Sequence, residues 1–251
     1  MTKDSLGDRM KAYESVFRQE LVPRMPTIIR IDGKAFHSYT RGLPAFHESL
    51  MHVMDITAAK LCEEIQTVQF AYVQSDEISL LLHPYKKYST QAWFDGNIQK
   101  MASVSAAIAA ATFSLESRQL RGECRPAYFD SRVWVLPDSE VVNYFLWRQQ
   151  DWTRNSVQML ARTMYSHAQC NNKNNSELQE MCFQGGQNWN NLPTHHRRGR
   201  AVVRVPYQVK DVMRTRWQLD YQIPIFSEDR NYIQQYLDVE PEVNECGPDS
   251  V

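Results

Sequence analysis

The chain has 251 residues, of which 43% are hydrophobic and 23% are charged, and its formal net charge is −1. These values are typical of a globular protein with one domain, or with one domain and an appendage, and they exclude a polycationic or disordered chain. Any nucleic-acid binding must therefore use a local basic patch, because the molecule as a whole carries no excess of positive charge.

The sequence contains no apolar run of the length that a bilayer requires, so we expect no membrane contact. The first residues, Met-Thr-Lys-Asp-Ser, lack the apolar core of a signal peptide. The cysteines at positions 62, 124, 170, 182 and 246 are odd in number and scattered, and they form no CxxC pair. We interpret them as reduced thiols, and we expect a cytoplasmic protein.

Periodicity and turn residues predict, in chain order, a helix, a strand, a helix, the two strands of a hairpin, a helix, a strand and a long helix. These elements cover residues 4–21, 27–31, 46–65, 68–72, 78–82, 90–115, 129–136 and 138–165. The order β-α-β-β-α-β predicts a ferredoxin-like α/β (α+β) fold. We expect residues 1–165 to form one domain with additional helices, and residues 166–251 to complete its core as a C-terminal extension with a frayed tail over 244–251.

Two carboxylates stand where short apolar runs break. Asp32 and Gly33 follow the predicted strand over 27–31, and Asp76 lies in the polar turn of the predicted hairpin. An ionised carboxylate beside a buried strand is costly unless it is paired or metal-bound, and a glycine permits close approach to a ligand. Hard oxygen ligands without a cysteine or histidine cluster favour Mg²⁺ over zinc. Taken singly, each segment is better explained as an ordinary turn.

The two segments read Arg30-Ile31-Asp32-Gly33-Lys34-x-Phe36-His37 and Gln74-Ser75-Asp76-Glu77-x-Ser79. Together and in this order, they resemble the catalytic signatures of the tRNA-histidine guanylyltransferase family and its relatives, the 3′–5′ polymerases. Further segments are similar to the family's strand, following helix and late glycine-containing strand, and they lie at 129–133, 144–151 and 198–203. The resemblance covers roughly residues 5–205.

The resemblance implies a catalytic core like a polymerase palm and an enzyme that adds nucleotides to the 5′ end of tRNA or tRNA-like RNA. In that reaction a nucleoside triphosphate first activates a 5′-monophosphate, and the 3′-hydroxyl of an incoming nucleotide then attacks the activated end. Two Mg²⁺ ions would serve both steps, with GTP and ATP as substrates. The family also implies a homodimer or homotetramer.

The resemblance further implies roles for individual residues. The catalytic residues would be Asp32, Asp76 and Glu77, and the metal ligands would be Asp32, the carbonyl of Gly33 and Asp76. Nucleotide binding would fall to Gly33, Lys34, Ala35, Phe36, His37 and Ser75.

A basic segment over residues 197–216, flanked by tryptophans, suits phosphate contacts and base stacking, although a solvated surface explains it as well. The expected RNA contacts come from this segment and from the long helix. They are Arg197, Arg198, Arg200, Arg148, Arg154 and Asn155.

Two departures from the family pattern bear on specificity. The Lys-Pro-x-Asp segment of many members is replaced by Leu43-Pro44-Ala45-Phe46, which places triphosphate binding by this loop in question. The His-x-Asn-Asn segment of eukaryotic members is reduced to one asparagine, Asn155. This loss favours the template-dependent "-like" branch, which repairs truncated 5′ ends.

Three alternatives remain open from the sequence. The first is a strict tRNA-histidine guanylyltransferase that adds a single G. The second is a palm-type nucleotide cyclase or second-messenger synthase. The third is an idle RNA-binding module on a palm scaffold, against which the presence of both Asp32 and Asp76 argues, because an idle site needs neither acid.

Overall fold

The computed structural model describes residues 5–87, 89–118, 122, 124–210 and 212–238, so the predicted tail over 244–251 lies outside the described residues. Within these ranges six strands form one antiparallel sheet in the order β4-β1-β3-β2-β5-β6. The strands are β1 Thr27–Gly33, β2 Val68–Gln74, β3 Glu77–Leu82, β4 Phe129–Val135, β5 Arg200–Val209 and β6 Val212–Asp220. The α-helices are α1 Leu6–Ser15, α2 Phe36–Tyr39, α3 Glu48–Glu64, α4 Ile98–Glu116, α5 Asp138–Met164, α6 His167–Cys170, α7 Asn175–Gln184, α8 Thr194–Arg198 and α9 Asn231–Gln234. Two short 3₁₀ helices lie at Trp93–Gly96 and Trp189–Asn191.

The first four strands, with α3 and α4 between them, follow the predicted β-α-β-β-α-β order, and the predicted hairpin is β2 and β3. The spatial order β4-β1-β3-β2 is the ferredoxin-like arrangement, so the predicted fold class is confirmed. Helices α3 and α4 cover one face of the sheet, where Ile29, Leu61 and Phe113 belong to one buried cluster. The long helix α5 covers the other face with Val141 and Phe145. Strands β1, β2 and β3 are therefore almost wholly buried, whereas β4, β6 and the second half of β5 are partly exposed to solvent.

The C-terminal part of the chain extends this sheet. Strand β5 pairs with β2, with Phe70 opposite Val203, and β6 pairs with β5 as a long hairpin. Beyond β6, Ile223, Phe226 and Ile233 pack into the α5 cluster. The proposed division at residue 165 stays a prediction, although residues from both sides of it share this cluster.

Helix α1 differs from its prediction in length and in packing. It ends at Ser15 rather than at residue 21, and none of its residues is buried. Its apolar face is exposed, with Leu6 at 66% and Tyr13 at 70% of their full accessible area. The apolar period of this segment therefore forms a helix whose face has no covering element among the described residues.

Helix α4 is long and apolar enough to meet the length and composition criterion for a membrane span, which the sequence analysis did not anticipate. Core helices of soluble proteins meet the same criterion, so length and composition alone do not assign α4 to a membrane. Here α4 packs on α3 and β4 and buries Met101, Ala109 and Phe113.

Gly199 has a backbone conformation and surroundings that only glycine fits. Its φ is +82°, and a Cβ atom built there would lie 2.6 Å from the hydroxyl oxygen of Tyr72. That hydroxyl donates a 2.8 Å hydrogen bond to the carbonyl oxygen of Arg198. The glycine therefore lets the chain turn closely over Tyr72 as it enters β5.

We expect Gly199→Ala to lower the free energy of unfolding by about 3 kcal/mol, because it combines backbone strain with a clash against Tyr72. Urea denaturation measures this loss. Gly186→Ala is the matched control, since Gly186 also has a positive φ, +88°, but no atom within 4 Å of its built Cβ. The control should cost about 1 kcal/mol. Equal losses in the two variants would contradict the role of the Tyr72 contact.

Candidate active site

Asp32 and Asp76 are brought to the same end of the sheet by strand pairing. Asp32 lies opposite Glu77 in the β1–β3 register, so the turn that precedes Glu77 reaches over the end of β1. The backbone N–H of Gly33 donates a 3.1 Å hydrogen bond to the carbonyl oxygen of Asp76 and ties the turn to β1. The turn itself requires a left-handed residue, Ser75, whose φ is 45°. Two of the three predicted metal ligands, Asp32 and Asp76, therefore lie at the same end of the sheet, next to the third, Gly33.

Both aspartates have raised pKa values, and neither has an ion-pair partner within the described part of the chain. Burial, opposed by a hydrogen bond from Ser75 and aided by the nearby Asp32 charge, raises the pKa of Asp76 to about 6. Burial and the charge of Asp130, which lies opposite in β4, raise the pKa of Asp32. Two partly buried carboxylates that repel each other favour a bound cation, and an all-oxygen ligand set suits Mg²⁺.

The acids open onto a cavity of about 770 Å³ between the end of the sheet and the long helix α5. Eight α5 residues form its opposite wall, and they recur every three or four positions, as expected for one face of a helix. The lining residues from this wall are Arg148, Asp151, Trp152, Asn155, Gln158, Met159, Arg162 and Thr163. The volume falls within the range of nucleotide-sized pockets.

A second, more apolar cavity of about 330 Å³ adjoins the first. Both cavities are lined by Ser75, Asp76 and Trp152. The second cavity is otherwise lined by His37, by apolar α3 residues and by the loop over residues 43–47. This loop lacks the family's lysine, yet it forms part of the cavity wall, so its contribution there is mainly apolar.

The predicted nucleotide-binding residues of the segment 33–37 divide into two groups. Lys34, Ala35 and His37 have exposed side chains, and His37 lines the second cavity. Phe36 instead packs in the core, with its ring centroid 5.2 Å from that of Phe113, and only borders the second cavity. A Cβ atom at Gly33 would lie 2.2 Å from the Phe36 ring, so close packing requires the glycine.

Glu77 is part of a buried ion pair. Its carboxylate accepts hydrogen bonds of 2.7 and 2.6 Å from Nε and Nη2 of Arg148, and Gln74 and Ser79 donate two more. The side chains of Arg148 and Glu77 are 8% and 9% exposed. Arg148 also donates to Asp151 at 3.1 Å. The prediction that Arg148 contacts RNA is therefore wrong, because its guanidinium is buried and hydrogen-bonded to Glu77 and Asp151.

Arg200 is also placed differently from its prediction. Its side chain is fully buried and pairs with the carboxylate of Asp55 at 2.5 Å, and that carboxylate also accepts a hydrogen bond from Tyr221. A buried guanidinium cannot contact RNA, so Arg200 holds β5 against α3 instead. Arg197 and Arg198 lie before strand β5, whereas Arg200 is the first of three consecutive buried residues at the start of this strand.

Three predicted RNA-binding arginines do converge. Arg154, Arg197 and Arg198 line one groove of about 450 Å³ between α5 and α8, together with Trp189. The Arg197 guanidinium lies over the Trp189 ring at 5.7 Å. Asn155 is exposed and faces the main cavity on the adjacent side of α5.

Arg162 was missed by the sequence analysis, although it lines the main cavity and has an exposed side chain. A signal was present, because Arg148, Asn155 and Arg162 are spaced by seven residues along one helix and therefore share a face. Trp152 was missed as well, and its place in both cavity walls follows from the same spacing.

The sequence of this chain matches a protein-family model over the region that contains Asp32 and Asp76. The family model described as Thg1, tRNAHis guanylyltransferase, matches residues 7–137, which span β1 to β4 and both acidic segments. The chain belongs to the tRNA(His) guanylyltransferase family. It is 26% identical over 210 residues to a probable tRNA(His) guanylyltransferase of Drosophila melanogaster, with 76% of this chain and 72% of the relative covered.

Solved structures extend this likeness over almost the whole chain. A bacterial tRNA(His) guanylyltransferase (Thg1)-like protein in complex with ATP is 41% identical, with a TM-score of 0.88 and coverage of 94% of this chain and 100% of the other. A bacterial Thg1-like protein in complex with GTP is 42% identical, with a TM-score of 0.83 and coverage of 93% and 99%. The protein is thus a nucleotidyltransferase of this family, which sets aside the cyclase and the idle RNA-binding module.

Replacing Asp76 by Asn should stabilise the metal-free protein at pH 7.5 by about 2–3 kcal/mol. The folded-state pKa of about 6 lies above the ordinary 3.8, so ionisation favours the unfolded chain. That cost is absent below about pH 4, grows between about pH 4 and pH 6, is constant above that, and disappears in the variant. Urea denaturation in EDTA at pH 4 and pH 7.5 tests this, with the exposed Asp95→Asn as control. A variant less stable than wild type at pH 7.5 would contradict it.

Arg148→Ala should lower the free energy of unfolding much more than Arg154→Ala, because Arg148 is buried and Arg154 is exposed. Removing Arg148 leaves the Glu77 carboxylate buried without its partner, so we expect a loss of about 3 kcal/mol. Arg154 is 55% exposed and pairs only with Asp151 at the surface, so its removal should cost less than about 0.5 kcal/mol. Thermal or urea unfolding of both variants measures this difference, and similar losses would argue against the buried pair.

Proposed function

We propose that this protein adds nucleotides to the 5′ end of tRNA or tRNA-like RNA, repairing truncated 5′ ends by template-dependent 3′–5′ polymerisation. The observation that carries the proposal is the pair of aspartates, Asp32 and Asp76, which have raised pKa values and no ion-pair partner among the described residues, at the wall of a nucleotide-sized cavity. Catalytic roles for Asp32 and Asp76 are part of this proposal, whereas Glu77, which the sequence also predicted as catalytic, would act by positioning the site through its ion pair with Arg148.

Asp32, the carbonyl of Gly33 and Asp76 would hold two Mg²⁺ ions. When bound, these ions lower the pKa of an attacking hydroxyl and neutralise charge on the transferred phosphoryl group. The mutual repulsion of the two carboxylates supports this assignment. Glu77 contributes differently, because its charge is already balanced by Arg148, and it fixes the floor of the site.

The two adjoining cavities would hold different parts of a bound nucleotide. The apolar cavity, with Phe46, Met51 and Leu50 in its wall, suits a base, and the acidic cavity suits the phosphates and their ions. Ser75 and Asp76 lie at the junction of the two. Lys34 and His37, together with Arg162 on α5, supply charge or hydrogen bonds to the triphosphate in this arrangement. GTP and ATP are the proposed substrates, in keeping with the complexes of the related structures.

Two observations support the repair branch: the sequence identity to bacterial Thg1-like proteins, and the residues at positions 154 and 155 of helix α5. Identity is 41–42% to the bacterial Thg1-like structures and 26% to the Drosophila guanylyltransferase. Where eukaryotic members carry two asparagines, this chain has Arg154 and Asn155, and Arg154 is held by Asp151 at 2.9 Å. With few protein groups left to select a nucleotide, base pairing to the opposite strand supplies the selection.

The groove of Arg154, Arg197 and Arg198 is the proposed site for the RNA backbone, because arginines beside Trp189 can contact phosphates and stack on bases. A homodimer or homotetramer is supported by the exposed apolar face of α1, which a second copy could cover. A cytoplasmic location is supported by Cys62, Cys124, Cys170 and Cys182, which are all free thiols.

The test is a competition between a 5′-truncated tRNA and a full-length histidine tRNA, with all four triphosphates and Mg²⁺ present. We expect the truncated RNA to be extended with the nucleotide complementary to the facing 3′-strand base, and the histidine tRNA to be the poorer acceptor. Sequencing of the extended 5′ ends measures both.

Asp32→Ala serves as the control, because it removes a proposed metal ligand and should reduce extension of both RNAs below a tenth of wild type. Changing the facing base of the truncated RNA should change the added nucleotide. More efficient addition of one non-templated G to full-length histidine tRNA would reject the repair function and support the strict guanylyltransferase.

A further inference from the structure

A second group of metal-ligating side chains lies outside the cavity that holds Asp32 and Asp76. Oε1 of Glu48 is 2.7 Å from Nε2 of His196 and 3.4 Å from Nε2 of His195. All three ligand atoms lie within 4.8 Å of one another. They are drawn from the first residue of α3 and from α8, which are almost 150 residues apart in the chain. The fold, rather than local sequence, brings them together.

The two imidazoles are held in place by packing. The ring of Phe46 stacks on His196 at 4.7 Å, with an interplanar angle of 21°. His195 packs edge-on against His196 at 4.4 Å and against Tyr221 at 5.5 Å. Their side chains are 18% and 10% exposed, whereas that of Glu48 is 66% exposed. Two fixed imidazoles beside one adjustable carboxylate form a preorganised ligand set with an open side.

The two distances from Glu48 are close to those that a tetrahedral ion requires, and the ligand atoms of the two histidines lie within 4.8 Å of each other. Ligand bonds of about 2.0–2.1 Å to zinc place neighbouring ligand atoms about 3.3 Å apart. The distance from Glu48 to His195 already matches this value, and the one from Glu48 to His196 must lengthen by roughly 0.6 Å. Rotation of the exposed Glu48 side chain can supply that movement.

We propose that Glu48, His195 and His196 form a binding site for a divalent transition metal, with Zn²⁺ as the ion that its two imidazoles and one carboxylate suit, and with water at the fourth position. Nitrogen ligands distinguish this site from the oxygen-only pair of Asp32 and Asp76, which suits Mg²⁺. Glu48 and His195 line a separate cavity that shares no lining residue with the cavity of the two aspartates.

The bound ion joins the start of α3 to α8. Glu48 directly follows the loop over residues 43–47, which forms a wall of both nucleotide-sized cavities. His195 and His196 directly precede Arg197 and Arg198 of the basic groove. The ion therefore fixes the loop relative to the groove, and it acts as a structural clamp rather than as a participant in the reaction.

Metal binding by the folded protein tests the site. The full chain is stripped with a chelator and titrated with Zn²⁺ in excess Mg²⁺, which occupies oxygen-only sites, and bound zinc is measured by competition with a chromogenic chelator. We expect one Zn²⁺ per chain and a rise in Tm on zinc addition. Glu48→Gln, at an exposed position, should keep the fold, weaken zinc binding at least tenfold and abolish the rise in Tm. His195→Asn should act in the same way.

Matched controls are Glu63→Gln, an exposed position on the same helix, and His167→Asn, an exposed histidine on α6. Both should bind zinc as wild type does, and so should Asp32→Asn, which changes only the oxygen-only site. Two results would overturn the proposal: uptake by wild type no greater than by Glu48→Gln, or equal loss in Asp32→Asn. The first would reduce the cluster to a hydrogen-bonded network, and the second would assign the zinc to the aspartates.

Discussion

Three carboxylates meet at one end of the sheet, and the structure neutralises only one of them. The β1–β3 register sets Asp32 opposite Glu77, and the hairpin turn brings Asp76 beside both. Arg148 compensates Glu77 with two short hydrogen bonds, whereas Asp32 and Asp76 raise each other's cost of ionisation. A catalytic site that binds cations needs uncompensated negative charge, and a stable fold tolerates only a limited amount of it. The bidentate pair keeps the surrounding structure rigid while two charges remain for ligands.

Helix α5 is the element on which this balance depends. Its inner face packs Val141 and Phe145 against the sheet, and further along it supplies Arg148 to Glu77. Beyond Trp152 the same face leaves the sheet and becomes the wall of the cavity. One uninterrupted helix of 27 residues therefore passes from core to site without a change of element. Its opposite side, with Arg154, faces the basic groove, so α5 separates the cavity of the two aspartates from the proposed RNA groove.

The central sheet and the acid pair were predictable because their signals are local. A run of β-branched residues, a polar turn and a carboxylate after a strand each occupy a few consecutive positions, as at Ile31 and Asp32. The fates of Arg148 and Arg200 were not predictable, since their partners, Glu77 and Asp55, are 71 and 145 residues away. An arginine in a basic segment has the same local sequence whether it faces RNA or a buried aspartate. Arg200 is buried because it is the first residue of β5, where the strand lies in the core, and this position is visible only in the folded structure.

The same limit applies to Glu48, His195 and His196. Two adjacent histidines and a distant glutamate have no recognisable spacing in the chain, yet α3 and α8 bring their ligand atoms within 4.8 Å. Phe46 connects this cluster to the apolar cavity. Phe46 both stacks on His196 and borders the apolar cavity, so a change at the histidines is transmitted through one aromatic contact to the cavity wall. The loop over residues 43–47 packs against α8 through the stacking of Phe46 on His196. The loop therefore contributes packing to the wall of the apolar cavity through Phe46.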